Sequence, residues 1–201
     1  MHGTHPVPAS LIAAWQETVA HEGAQLEEVS GPRRRTLASL LVRAVRTQAA
    51  SPAHVEELEG WVRHWGTSAE PLVDGVPVDS LGPARFPVDS LVQEGTDVDD
   101  LDPDAVLSDL SSQCVVVLRT AGDTRRDWVD AGMAMQRLLL QVHASGYAAA
   151  YLDQATQVPS IRTVMAELLG PPLVPQLVLR LGSPLVTVPR TPRRRLEELW
   201  T

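Results

Sequence analysis

Arginines carry the clearest chemical signal in this chain. Arg190, Arg193, Arg194 and Arg195 flank Pro192 just after an apolar run. A guanidinium is a planar fork of donors that meets a phosphate two bonds at a time, so such a cluster suits an anion site. A second run, Arg33-Arg34-Arg35, opens a helical stretch, where positive charge opposes the helix dipole. It reads as a solvated first turn or as an anion or interface contact. The single cysteine, Cys114, begins an apolar run; a small buried hydrophobe is expected there, a reactive thiol being the alternative. The six histidines stand at no usual metal spacing, so no metal site is expected. His54 and Glu57 share a helix face, which makes no site, and His143 reads as structural. Dinucleotide, P-loop, C-x-x-C, H-E-x-x-H and G-x-S-x-G signatures are absent, and no catalytic residue can be assigned from motifs.

The elements that must position these groups follow from periodicity. Residues 8–22 form an amphipathic helix with Leu11, Ile12, Trp15 and Val19 on one face, ended by Gly23. A short strand over 24–29 precedes a helix over 32–49, whose inner stripe is Leu37, Leu40, Leu41, Ala44, Val45 and Gln48. Ser51-Pro52 opens a third helix, with Val55, Leu58, Trp61, Val62 and Trp65 expected inward. Residues 106–110 suggest a short helix. The continuous apolar runs 114–118 and 176–181 should be central strands. Residues 123–146 form a long helix whose segment from Ala131 to Leu140 is apolar almost all round, so packing on several sides is expected. The short strand 147–152 then ends in Asp153-Gln154. A cationic tail behind a buried helix and two strands predicts an α+β fold able to hold an anionic ligand.

The chain has 201 residues, which fits a single domain spanning 1–201. All 17 basic residues are arginine. Ten of the 25 acidic residues fall between Gly66 and Asp104 with one arginine, Arg85, leaving 15 acids and 16 arginines elsewhere. The charge of −8 therefore belongs to one Pro- and Gly-rich acidic segment, 66–104, read as a solvated excursion or a lid. No face-wide basic stripe favours nucleic acid, and no apolar run reaches the roughly 18–20 residues of a membrane span. One cysteine and no visible secretory signal fit a cytoplasmic protein.

Several of these segments resemble one family in order and spacing. They are Trp128 with Ala131 to Leu140, then Gly146-Tyr147, Pro175 to Gly182, Thr191 to Glu198, and upstream Asp74-Gly75-Val76-Pro77 with Gly82-Pro83. Together they resemble the FMN-dependent nitroreductase family, closest to its actinobacterial Acg-like branch. The resemblance implies an α+β fold with a central, mostly antiparallel sheet flanked by helices and a long buried central helix. It implies a homodimer through the helix containing Ala131 to Leu140, with FMN at the interface. It also implies hydride transfer from NAD(P)H to nitro compounds, quinones or similar small-molecule acceptors. By matching position, Asp153 and Gln154 would face the reactive edge of the flavin; Arg193 and Arg194, with Arg190 beside them, would hold its phosphate.

The family's Ser-x-x-Asn-x-Gln-Pro-Trp segment is replaced here by Gly23-Ala24-Gln25-Leu26-Glu27-Glu28-Val29. Met1 to His5 stands where the family has an arginine-serine phosphate motif. By this resemblance the chain looks like the second of the two nitroreductase-like units that the Acg-like branch holds. Three readings follow: an active oxidoreductase, a degenerate non-catalytic relative that binds or sequesters flavin, and a dimerisation partner module.

Overall fold

The computed structural model describes residues 7–63, 75–77, 98–184 and 196–199. Helix α1 (Ala9–Ala20) leads into strand β1 (Gln25–Glu28), then α2 (Arg33–Ala49) and α3 (Pro52–Trp61). Two two-residue strands, β2 (Val62–Arg63) and β3 (Val76–Pro77), pair in parallel. After α4 (Pro103–Ser111) come β4 (Cys114–Thr120), α5 (Arg125–Ala144) and β5 (Ala148–Tyr151). The short α6 (Gln154–Gln157), α7 (Pro159–Leu169) and β6 (Val174–Gly182) follow.

The main sheet has the order β1-β4-β6-β5 with every pair antiparallel, so the predicted α+β class and sheet type hold. Strand β4 is buried at all seven positions because both faces of the sheet are covered. Side chains alternate across a strand. Val115 and Val117 therefore join the core under α2, α4 and α7, while Val116 and Leu118 join the core under α1 and α5. The six residues expected on the inner stripe of α2 are all buried.

Two helices depart from expectation. No residue of α3 is buried, and Trp61 is 57% exposed. Its apolar stripe meets too little of α2 to be covered; Trp65 lies outside the described residues. Within the chain, α5 buries only one face: Ala131, Ala134, Leu138 and Val142. On the other, Trp128, Val129, Met133 and Leu140 are 50–61% exposed. The near-continuous apolar sequence reflects two apolar faces, only one of which meets this chain's sheet.

The start of α5 is fixed locally. Thr124 accepts from the Asp127 N–H, and Asp127 accepts from the Thr124 N–H at 2.8 Å, a reciprocal cap. An added Cβ at Gly122 would lie 2.9 Å from the Asp127 carboxylate, so a side chain there would push on this cap. His143 lies exposed in the last turn, where a cation suits the dipole.

The Arg33-Arg34-Arg35 run is neither a loose solvated turn nor an anion site. Arg33 pairs with Glu27, and Arg35 with Asp104 at 2.6 Å. Arg34 donates to the carbonyls of Val29 (2.8 Å) and Leu110 (2.6 Å). Arg35 and Asp104 are both well exposed, so that pair is worth at most about 1 kcal/mol. Arg34 matters more, because it adds a donor to the Leu110 carbonyl at the C-terminal end of α4, which also accepts from the Ser112 and Gln113 N–H groups, and so ties that end to α2. Of the acidic segment, only residues 75–77 and 98–104 are described. There Arg46 on α2 donates to the carbonyls of Val98, Asp99 and Leu101 and so holds the run into α4 against the core.

Candidate functional site

The two strand-end residues singled out by sequence lie where edge strand β5 leaves the sheet. The last backbone pair of the β5–β6 ladder is Tyr151 with Leu179. The Leu152 N–H then donates to the Val178 carbonyl at 2.8 Å. One residue on, the Asp153 side chain takes over: its Oδ1 accepts the Val178 N–H at 2.8 Å. A carboxylate thus stands in for the next strand residue, which lets the backbone turn into α6. The Asp153 carbonyl accepts from the Thr156 and Gln157 N–H groups and closes that turn.

Burial pushes the Asp153 carboxyl up to about 6, against the bond from Val178, which favours the charged form. No cation contributes to offset this. The proton-bound state is stabilising below the ordinary carboxylate range near 3.8, and that contribution is lost as pH rises through about 6.

Gln154 begins α6, and its Oε1 is buried without a donor. A buried acceptor left unpaired costs about 1–3 kcal/mol, so it is a position where a ligand N–H would be gained. The ring side of an FMN fits this requirement. The phosphate side would fall to Arg190, Arg193 and Arg194, which lie outside the described residues. Tyr151, at the end of β5, donates its hydroxyl to the Met135 sulfur at 3.4 Å and joins the strand end to α5. Gln154 itself opens α6, which packs on α2, α7 and β6.

A polar cluster that the sequence did not reveal pins the N-terminal end of the exposed α5 face. Arg162 on α7 forms two 2.8 Å bonds to Asp123 and donates to Gln176 Oε1 at 2.8 Å. The Trp128 indole N–H donates to Asp123 at 2.7 Å. Arg162 and the indole hold the Asp123 carboxyl down to about 2. Gln176 reaches Thr120 at 2.7 Å, and it sits where the β4–β6 register shifts by one residue. That shift leaves Gln176 opposite no β4 residue, as in a bulge. Its partners are far apart in sequence, so no local spacing could have signalled them.

Cys114 is buried, and desolvation pushes its thiol up to about 12. A thiol this far from its thiolate is inert, as the bland reading expected. Incubation of the native chain with a maleimide near neutral pH should leave Cys114 unmodified for hours; rapid labelling would contradict its burial. Among the described residues no group of three or more His, Cys, Asp or Glu could hold a metal ion, and no helix is long and apolar enough to cross a membrane.

Solved structures superpose over almost the whole chain. A nitroreductase with bound FMN from Bacteroides fragilis gives a TM-score of 0.54 at 14% identity, covering 97% of this chain and 88% of that one. The FMN-dependent nitroreductase NfnB from Mycobacterium smegmatis, in complex with NADPH, gives 0.50 at 22% identity, covering 95% and 88%. The fold is that of the nitroreductases. In sequence the chain is similar to the Acg-like branch. It is 32% identical over 89 residues to "Putative NAD(P)H nitroreductase acg" of Mycobacterium tuberculosis, covering 43% of this chain and 27% of that protein. It is also 32% identical over 201 residues to uncharacterized protein Rv3127 of the same organism, covering 92% of this chain and 54% of that protein. This nitroreductase-fold chain thus spans about half the length of that relative. No protein-family model matches it.

Proposed function

We propose that the chain is one nitroreductase-like unit of an FMN-dependent NAD(P)H oxidoreductase acting on nitro compounds, quinones or similar acceptors. It would form its complete flavin site with a second copy docked on α5. The observation that carries this reading is the unpaired buried Gln154 oxygen where the chain leaves β5 for α6; the exposed apolar face of α5 separately offers a surface to a second copy. When bound, FMN supplies the two-electron chemistry that links nicotinamide to acceptor. Gln154 would accept from the ring, Asp153 would fix the strand end behind it, and Arg193 and Arg194, with Arg190, would bind the phosphate. The apolar α5 face would exclude water once covered.

One observation favours the alternative of a degenerate flavin-binding relative. Glu27, in the stretch that replaces the family's flavin-contacting segment, is occupied by Arg33 and Arg119. That side of the site is built for stability.

The visible spectrum and thermal midpoint, with and without excess FMN, test both readings. A ligand that binds only the folded state must raise the midpoint. Absence of both flavin absorbance and a shift would sink both. Bleaching by NAD(P)H under nitrogen would support the enzyme; a bound flavin that stays oxidised would favour sequestration. Changing Arg193 and Arg194 together to alanine should weaken FMN binding by at least about tenfold while leaving riboflavin binding little altered, because only FMN carries the phosphate. Equal losses for the two ligands would rule out the phosphate role.

A further inference from the structure

Gly132 serves no purpose in the chain's own packing. It stands in the interior of the 20-residue helix α5, where glycine loses backbone entropy that alanine would not. Its φ is not positive, so no left-handed turn requires it. Nor does crowding: a Cβ built on Gly132 meets nothing within 4 Å. At Gly122, by contrast, an added Cβ runs into the Asp127 carboxylate. Gly60 is also uncrowded, but it stands beside the last residue of α3, where helices fray. Alanine at position 132 would therefore strengthen α5 within this chain.

The place of Gly132 on the helix supplies the missing reason. Residues three and four apart share a helix face. Trp128 and Val129, four and three residues before Gly132, are exposed, as are Met133 just after it and Leu140 about two turns on. The inward face is a different one, made by Ala131, Ala134, Leu138 and Val142. Gly132 is thus a notch in the uncovered apolar face, with large apolar side chains before and after it along the axis. The distance between two packed helices, about 8–10 Å, depends on the side chains at their contact, and a glycine there allows the closest approach.

We infer that α5 of a second copy crosses this helix at Gly132, glycine against glycine about a two-fold axis. In an isologous contact both surfaces are the same patch, so each notch leaves the room that the other backbone needs. Like copies also bring like charges together, and this patch avoids that. The residues three and four away on either side, Trp128, Val129, Met135 and Gln136, are all uncharged, so no ion is desolvated at the crossing. The inference rests on the proposed second copy at α5 and adds where, and how closely, the two copies meet.

Gly132→Ala separates the two roles of a helix glycine, because they carry opposite signs. In a chain that also holds Met133→Glu and Leu140→Glu, the α5 face is charged and only the fold is read. There alanine should raise the thermal midpoint by about 2–4 °C through helix propensity. In the otherwise native chain, sedimentation equilibrium should show self-association weakened by at least about tenfold, since two methyl groups overpack the crossing. An unchanged or tighter dimer for Gly132→Ala would overturn the crossing and leave the α5 interface standing. A native chain that stays monomeric at tens of micromolar would remove the interface and the crossing together. A lower midpoint in the charged background would mean that the glycine serves this chain's own fold, which also overturns the inference.

Discussion

Replacing Met133 and Leu140 together with glutamate should turn a dimer into a folded monomer. Both side chains stand on the α5 face that this chain does not cover, and Trp128 and Val129 extend that face toward the helix start. Fully burying a Leu or Met is worth about 1.5–3 kcal/mol, and these are already about half buried. An isologous interface counts each residue twice. Four side chains then contribute about 3–6 kcal/mol, or roughly a hundredfold to ten-thousandfold in dimer affinity. The fold should survive, because the inward face of Ala131, Ala134, Leu138 and Val142 is unchanged. Met135 would be a poorer choice: it packs against the core and receives the Tyr151 hydroxyl, so a charge there would strike the fold as well. Sedimentation velocity gives the mass and far-UV circular dichroism the fold. A wild-type chain that is monomeric at tens of micromolar, or a double variant that still dimerises, would refute the α5 interface. Trp128 should be its rigid anchor, since its indole N–H is already held by Asp123 and little freedom remains to be lost on docking.

That face also shows what periodicity can and cannot convey. The run from Ala131 to Leu140 declared a helix with apolar residues on most sides, and α5 is that helix. Nothing in the run distinguished a side facing the chain's own sheet from a side awaiting another surface, because leucine and methionine serve both. The same ambiguity misplaced α3, whose stripe is regular but lies over too little of the core to be buried. The strands were easier to read. Continuous apolar runs at 114–118 and 176–181 require cover on both faces, and only central strands have it. Arginine was the hardest residue to read. In the Arg33-Arg34-Arg35 run the charges suggested an anion, yet each found an acid or a carbonyl brought near by the fold. Asp153 was visible as a strand-end acid; its bond to the Val178 N–H was not, since 25 residues separate the partners. The Asp123–Arg162–Gln176 cluster joins three separate elements, and its members look ordinary in sequence.

The largest single loss of stability should come from Arg119→Met. Arg119 is 4% exposed at the end of β4. It pairs with Glu27 on β1 and donates to the carbonyls of Leu169, Gly170 and Leu173. One guanidinium therefore closes the C-terminal end of α7, whose last carbonyls otherwise lack donors, and ties it to two strands. Methionine fills much of the volume but makes none of these bonds. It leaves three carbonyls without a donor and Glu27 with Arg33 alone. Each buried carbonyl left without a donor costs about 1–3 kcal/mol, so the three lost bonds with the weakened ion pair make a loss of about 3–5 kcal/mol. At roughly 2–4 °C per kcal/mol for a chain of this size, the thermal midpoint should fall by about 6–20 °C. Adding Glu27→Gln to Arg119→Met, beside Glu27→Gln alone, gives the coupling between the pair, with Arg33 still facing position 27 in both backgrounds. A loss below about 1 kcal/mol for Arg119→Met would mean that the pair is solvated and not structural. The consequence reaches the candidate site through the chain path. α7 runs from α6, which opens at Gln154, to β6, which carries the Val178 N–H; with its C-terminal end unpinned, neither side of the Asp153 contact keeps its place.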